Sequence, residues 1–317
     1  MKRPVWNRFV MSQHGGLVAA LVLLFVVLSL VAPHFFTVRN ITNVLQQVSF
    51  MGIVALGMTL VILCAEIDIS VGSAMALYSS LLAVLHFRYS WPLGAAIVLV
   101  LALGPLIGLA AGYIRHRFNV PSFIVTLALL SSLRGAALWI TNASPIAIPD
   151  VDFAFLGSGR IFGVVPFPLL IFIALSIVFW FISVKTVLGR SIYAVGGNPE
   201  AARISGISLL RVRMVIFAGT GLLSAVSAIL LSSLIGSGNA GLGQGAEFQV
   251  IASVIVGGTS LYGGRGSILG TLLGVLFIGL LTNGMVLLGV NQYGQMVAHG
   301  LIILLAVLFS EGLRRGT

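Results

Sequence analysis

Charge is what this sequence has least of. Its 317 residues include 17 Lys and Arg and only 7 Asp and Glu, so charged residues are 8% of the chain against 59% hydrophobic. No water-facing surface can be assembled from so little polar material, which excludes a soluble domain. A single cysteine, Cys64, excludes an intrachain disulfide, and a lone thiol in an apolar run is a packing residue. The five histidines show no metal-ligand spacing. The Gly-rich stretch "GGTSLYGGRG" (Gly257 to Gly266) lacks the Gly-Lys-Ser/Thr that a Walker A loop needs to hold nucleotide phosphates. No nucleophile and base, and no metal pair, falls in neighbouring apolar runs, so an intramembrane enzyme has no support.

What is abundant is hydrocarbon. About ten apolar runs approach the roughly 20 residues that cross a bilayer. The first five are Leu17 to Phe35, Val44 to Cys64, Val71 to His86, Pro92 to Ile114 and Val120 to Ile140. The second five are Pro166 to Val184, Val212 to Ile235, Phe248 to Leu261, Ile268 to Leu288 and Gln292 to Phe309. No A-x-A-like cleavage site follows the first, which reads as a retained span rather than a signal peptide. The expectation is an all-α polytopic membrane protein of about ten transmembrane helices, a single domain over residues 1–317 with a loop at about 185–213.

The net charge of +10 invites a nucleic-acid partner, but basic residues beside spans record orientation more often than ligands. With the amino terminus inside, Lys2, Arg3, Arg8, Arg115, Arg117, Lys185, Arg190, Arg203, Arg211, Arg213, Arg265, Arg314 and Arg315 are cytoplasmic. Arg39, Arg88 and Arg160 fall outside, and both termini are placed in the cytoplasm. The partner expected from this pattern is membrane lipid, not nucleic acid.

Two glycine rows, Gly104, Gly108 and Gly112, then Gly266, Gly270 and Gly274, repeat at four-residue spacing, which brings helix backbones together in lipid. The third span of each half, Val71 to His86 and Phe248 to Leu261, looks too short to cross. Interrupted helices at matching positions of two halves point to pseudo-twofold related halves around a transport pathway.

Within "CAEIDISVGS" (Cys64 to Ser73), Glu66 and Asp68 are carboxylates between apolar spans, and such groups are costly unless capped, solvated or paired. Asp68 or Ser70 caps the helix starting near Val71, or these residues line a pathway for a hydrophilic solute, or they relay protons. Arg134 snorkels to the headgroups or faces a wet cavity, with Asn142 at the same end of its span. Glu247 complements the positive end of the eighth span or, with Gln249, forms an outer gate or a contact for a binding protein. Asn283 is an interhelical hydrogen-bonding group or a solute contact.

The stretch "GRSIYAVGGNPEAARISGI" (Gly189 to Ile207) carries a compact helix signal. Asn198 is an N-cap, Pro199 stands at N1, Glu200 supplies first-turn negative charge, Ala201, Ala202 and Arg203 continue the helix, and Gly206 stops it. A helix from Pro199 to Ser205 is too short to stand alone and needs a packing partner.

"MTLVILCAEIDISVGS" (Met58 to Ser73), the stretch just described and "VGGTSLYGGRGSILGT" (Val256 to Thr271) together resemble the permeases of bacterial ABC importers for ribose, xylose, arabinose, galactose and related sugars. The resemblance implies a permease in the bacterial cytoplasmic (inner) membrane without catalytic residues. It would pair with a second copy or a sister permease, a cytoplasmic ATPase subunit carrying ATP and Mg, and an extracytoplasmic solute-binding protein. The helix at Pro199 then looks like the coupling helix. Two departures stand out: Glu66 where the family usually has Gly, and Gln249 where it often has Asp. A carboxylate gained and another lost point to a different solute, such as a polyol, a deoxysugar or a furanose signal molecule. The alternative reading is a proton-coupled secondary transporter acting through Glu66 and Asp68.

Overall fold

The structure, a computed structural model, describes residues 15–315. Lys2, Arg3 and Arg8, on which the orientation reading partly rests, lie outside the described residues. The helices in chain order are α1 (Gly15–Val31), α2 (Val38–Leu63), α3 (Val71–Ala83), α4 (Leu93–Arg117), α5 (Ser122–Thr141), α6 (Val151–Ser158), α7 (Phe167–Lys185), α8 (Val187–Gly197), α9 (Pro199–Ile204), α10 (Leu209–Ile235), α11 (Ala246–Val256), α12 (Ile268–Leu287) and α13 (Gln292–Arg315). Each of the ten apolar runs overlaps a helix, though α1 ends at Val31 and α11 at Val256, short of the Phe35 and Leu261 at which their runs end. Among the described residues, 7 helices are long and apolar enough to cross a membrane: α2, α3 with the turn that follows it, α4, α5, α7, α10 and α12. α1 and α11 are shorter apolar helices.

One expectation needs correction. α3 is not too short to cross: with the π-helical turn Val84–Arg88 it runs two residues past His86 and reaches 18 residues, long enough to span. Shortness belongs to α11 alone of the two, since 11 residues at about 1.5 Å each cover roughly half of a 30 Å hydrocarbon layer.

α2 is the centre of the bundle, with 83% of its most apolar window buried, whereas α4, α5 and α7 bury 22% and turn their apolar residues outward. This is the arrangement lipid permits: a lipid-facing Leu loses nothing, so close packing and internal hydrogen bonds decide which faces meet. The first glycine row does this. A methyl group at Gly104 would lie 2.6 Å from the Gly221 carbonyl oxygen, one at Gly112 2.7 Å from Met214 Cα, and one at Gly108 would overlap the Phe217 carbonyl, so α4 and α10 lie backbone to backbone. Gly270 and Gly274 likewise press α12 onto Gly257 and Ser253 at the end of α11.

The segment between α5 and α7, for which the sequence suggested no element, has structure of its own. Asp150 caps α6 by accepting from Phe153 N at 2.7 Å. Gln46 of α2 donates to the Gly157 carbonyl at 2.6 Å, and Gly157 N donates to Ser233 Oγ of α10 at 2.6 Å, pinning α6 across two central helices. Two small antiparallel ribbons complete this end: β1 (Ile146–Ala147) with β4 (Ser237–Gly238), and β2 (Arg160–Ile161) with β3 (Val165–Pro166).

Candidate functional site

At the opposite end of the bundle, α8 and α9 form a hook between α7 and α10. Thr186 opens α8 by accepting from Gly189 N at 3.1 Å, and Ile192 and Val195 are fully buried. Leu188, Ile192 and Val195 repeat at four and three residues, a helical signal that the sequence reading missed. α9 behaves as its residues dictate. Asn198 Oδ1 accepts from Glu200 N (3.1 Å) and Ala201 N (3.0 Å), Pro199 is the first helical residue, and Ser205 is the C-cap, one residue short of the expected end. Gly206, at φ +83°, closes the helix: its N–H donates to the Arg203 carbonyl and Ile207 N to the Ala202 carbonyl, both at 3.0 Å. Ala202 is buried, while Glu200, Ala201, Arg203 and Ile204 face outward. Glu200 and Arg203 are paired at 2.6 Å. The hydrogen bond from Arg203, and then its charge, hold the Glu200 carboxyl below the usual carboxylate range. The pair is exposed, so it shapes a surface more than it stabilises the chain.

Beneath this hook lies the corner joining α2 to α3. Gly196 of α8 packs against the Leu63 carbonyl, which also accepts from Gly264 N at 2.8 Å, and Tyr193 Oη donates to the Gly266 carbonyl at 3.0 Å. Glu66 is buried here rather than lining an open space. Arg115 Nε, from the last turn of α4, lies 2.9 Å from both Glu66 oxygens. Arg213 Nε, from the second turn of α10, pairs with Glu66 Oε1 at 2.8 Å, close but off the line of a hydrogen bond. Arg213 Nη1 also sits 3.2 Å from His116 Nδ1. The two arginines had been read only as orientation markers; nothing in the spacing revealed that one carboxylate gathers both.

The chain leaves the corner extended and starts α3 at Val71. Ser70 occupies the N-cap position but caps nothing: its hydroxyl donates to Asp68 Oδ1 at 2.6 Å, and its N–H donates to the same oxygen at 2.9 Å. The capping expectation is therefore corrected. Asp68 instead folds the turn onto itself, buried beside Tyr78 and Ser224 in a small void. The N-terminal ends of α3 and α11 meet, because Gly72 packs directly against the Gly243 carbonyl and Glu247 Oε2. Arg134 secures the loop before α11, donating to the carbonyls of Ala240 (2.5 Å) and Leu242 (3.0 Å). Its guanidinium is thus tied to that loop, an arrangement beside the two expected from sequence. Glu247 is buried at this junction, and its Oε2 has no hydrogen-bond partner. Asn142, left-handed at φ 51°, is the exposed C-cap of α5 at the far end.

Asn283 resolves to the first of its two readings in this geometry: it exchanges amide hydrogen bonds with Asn40 at 2.9 and 3.0 Å, locking α12 to α2. Gln249 donates to Thr282 Oγ1 at 3.3 Å, and Thr282 contacts His299 Nε2 at 3.0 Å. Gln249 and Thr282, with Gln47 and Ser253, supply the polar lining of a cavity of about 210 Å³ between α2, α10, α11 and α12.

Residues 40–307 match the family described as the permease component of the branched-chain amino acid transport system. The chain belongs to this permease family. It is 51% identical over 293 residues to the probable ABC transporter permease protein YphD of Escherichia coli K12, covering 92% of this chain and 88% of that one. It is 41% identical over 310 residues to the ribose import permease protein RbsC of the same strain, with 96% of each chain covered. The xylose transport system permease protein XylH of that strain is 33% identical over 341 residues, covering 89% of this chain and 87% of its own length. This permease is thus a transport subunit rather than an enzyme, and a multi-pass protein of the bacterial inner membrane. The proton-coupled alternative is not favoured, and its proposed carboxylate Glu66 is already committed to two guanidinium groups.

Proposed function

We propose that this chain is the membrane-spanning subunit of an ATP-driven importer that takes a sugar or related polyhydroxy solute into the cytoplasm. The observation that carries it is α9, a helix capped at both ends, presenting Glu200, Arg203 and Ile204 outward while Ala202 anchors it to the bundle. Six residues do not hold a helix alone in water, and a surface so arranged suits a docking partner. The partner is a cytoplasmic ATPase subunit carrying ATP and Mg²⁺, with no cofactor held by this chain. An extracytoplasmic solute-binding protein and a second permease copy or sister permease complete the assembly. The sugar class rests on the names of the ribose and xylose relatives.

In this reading the whole of 1–317 is one transmembrane domain with the coupling loop at 185–213, and α1, α13 and α11, the last crossing only together with the non-helical chain that flanks it, join the seven long helices to give about ten spans, with both termini cytoplasmic. The abutting starts of α3 and α11 support pseudo-twofold related halves, with Asp68, Ser70, Arg134 and Asn142 along the path. The buried position of Glu247 favours a gate over a contact for the binding protein. Gln249 is the side chain best placed to sense solute, because it lines a cavity with three other polar groups.

The test is the double substitution Glu200→Ala/Arg203→Ala in proteoliposomes with ATPase and binding protein. Both residues are exposed, so the variant folds. The expected result is loss of ATP-dependent uptake and of ATPase stimulation. Undiminished coupled uptake would remove the reading.

A further inference from the structure

The corner at Glu66 is attached from three sides. Its carboxylate holds Arg115 at the end of α4 and Arg213 near the start of α10, and the carbonyl of Leu63, three residues earlier, is packed against Gly196 of α8. Ala65, between them, is held left-handed at φ 58°, a conformation that a residue with a Cβ resists and keeps only where the surroundings impose it. From Ala65 the chain continues through Asp68 and Ser70 to Gly72, where α3 meets α11. On the other side, Arg213 follows α9 by one loop: Ile207 is tied back to Ala202, and Ser208 caps α10 by accepting from Arg211 N at 3.4 Å.

We propose that Glu66 is a positioning residue that transmits displacement of α9 to the α3–α11 junction, by holding the α2–α3 corner to Arg213 of α10. The argument is electrostatic and geometric. A buried carboxylate between two guanidinium groups cannot release either without stranding a charge in a medium that solvates it poorly, so the corner must follow α10 when α10 moves. Exposed attachments slip; buried ion pairs do not. Gly196 against Leu63 gives the corner a second, uncharged hold that keeps it near α8 when the charge link is cut.

The proposal rests on the importer reading, and the experiment separates the two. The complex of permease, ATPase and binding protein is reconstituted with the permease unchanged, with Glu66→Gln/Arg213→Gln, and with Glu66→Asp. The double variant retains the cluster's net charge of one positive unit and severs the corner from α10; Arg115 loses its carboxylate partner as well, but its long side chain, partly exposed at the last turn of α4, keeps access to water. Uptake per ATP hydrolysed is measured together with hydrogen exchange at residues 64–70 and at α9, with and without trapped nucleotide.

The expected result for the double variant is an uptake-to-ATP ratio down about tenfold, in the range of ordinary coupling between sites. Nucleotide should still alter exchange at α9 but no longer at 64–70. Glu66→Asp, which keeps the charge, should restore at least part of both signals. A double variant with the unchanged protein's ratio and its exchange response at 64–70 overturns the transmission role. If instead the unchanged complex shows no ATP-dependent uptake, the importer reading itself fails.

Discussion

Replacing Gly112 by Ala tests the packing argument at its most consequential point. The added methyl would stand 2.7 Å from Met214 Cα and 2.9 Å from the Arg213 carbonyl oxygen, all backbone and unable to turn aside. Carbon atoms rest at about 3.5–4.0 Å, so α4 and α10 must separate there by about 1 Å. Arg115 lies one turn along α4, and Arg213 is one of the two residues struck. Glu66 holds these two arginines at 2.9 and 2.8 Å, and its carboxylate cannot follow both as they part. Overpacking of this kind costs about 1–3 kcal/mol. The assay is thermal unfolding of the detergent-solubilised permease, beside Gly135→Ala as a matched control. Gly135 lies in α5 with nothing within 4 Å of an added methyl, so there alanine should be neutral or stabilising by roughly 0.5–1 kcal/mol. If Gly112→Ala unfolds at the same temperature as Gly135→Ala, the backbone contact between α4 and α10 is not what holds this seam.

Asn198→Ala should remove the acceptor for two amide hydrogens of α9 at a cost of about 1 kcal/mol, seen as faster hydrogen exchange at residues 199–204, with Asn198→Ser retaining most of the protection. Asn283→Leu should destabilise by about 1–3 kcal/mol because it leaves the buried Asn40 amide with fewer partners, and adding Asn40→Leu should recover part of that loss; strictly additive costs in the double-mutant cycle would argue against the amide pair.

The spans were legible because hydropathy needs no partner: a run such as Phe167–Lys185 is helical and lipid-facing on its own composition. The cap at Asn198, the stop at Gly206 and the glycine row facing α10 were legible for the same reason, since each follows from a local residue preference or a fixed helical period. What stayed hidden depends on residues distant in sequence. Glu66 reads as a solute or proton group until Arg115 and Arg213 are beside it, and Arg134 reads as a membrane-edge cation until the carbonyls of Ala240 and Leu242 turn toward it. α3 was judged short because its apolar run was ended at His86, two residues before the helix closes at Arg88, and α6 was passed over because its 8 residues gain their order from Gln46 and Ser233 on other helices.

Asn198 takes up the leading amide hydrogens of α9, and the turn at Gly206 takes up the carbonyls of Ala202 and Arg203. Its main chain therefore has little left to offer a visitor, and whatever settles on this knob reads side chains. On the importer reading such a knob is portable: transplanting Glu200, Arg203 and Ile204 onto a related permease should carry the choice of motor with them.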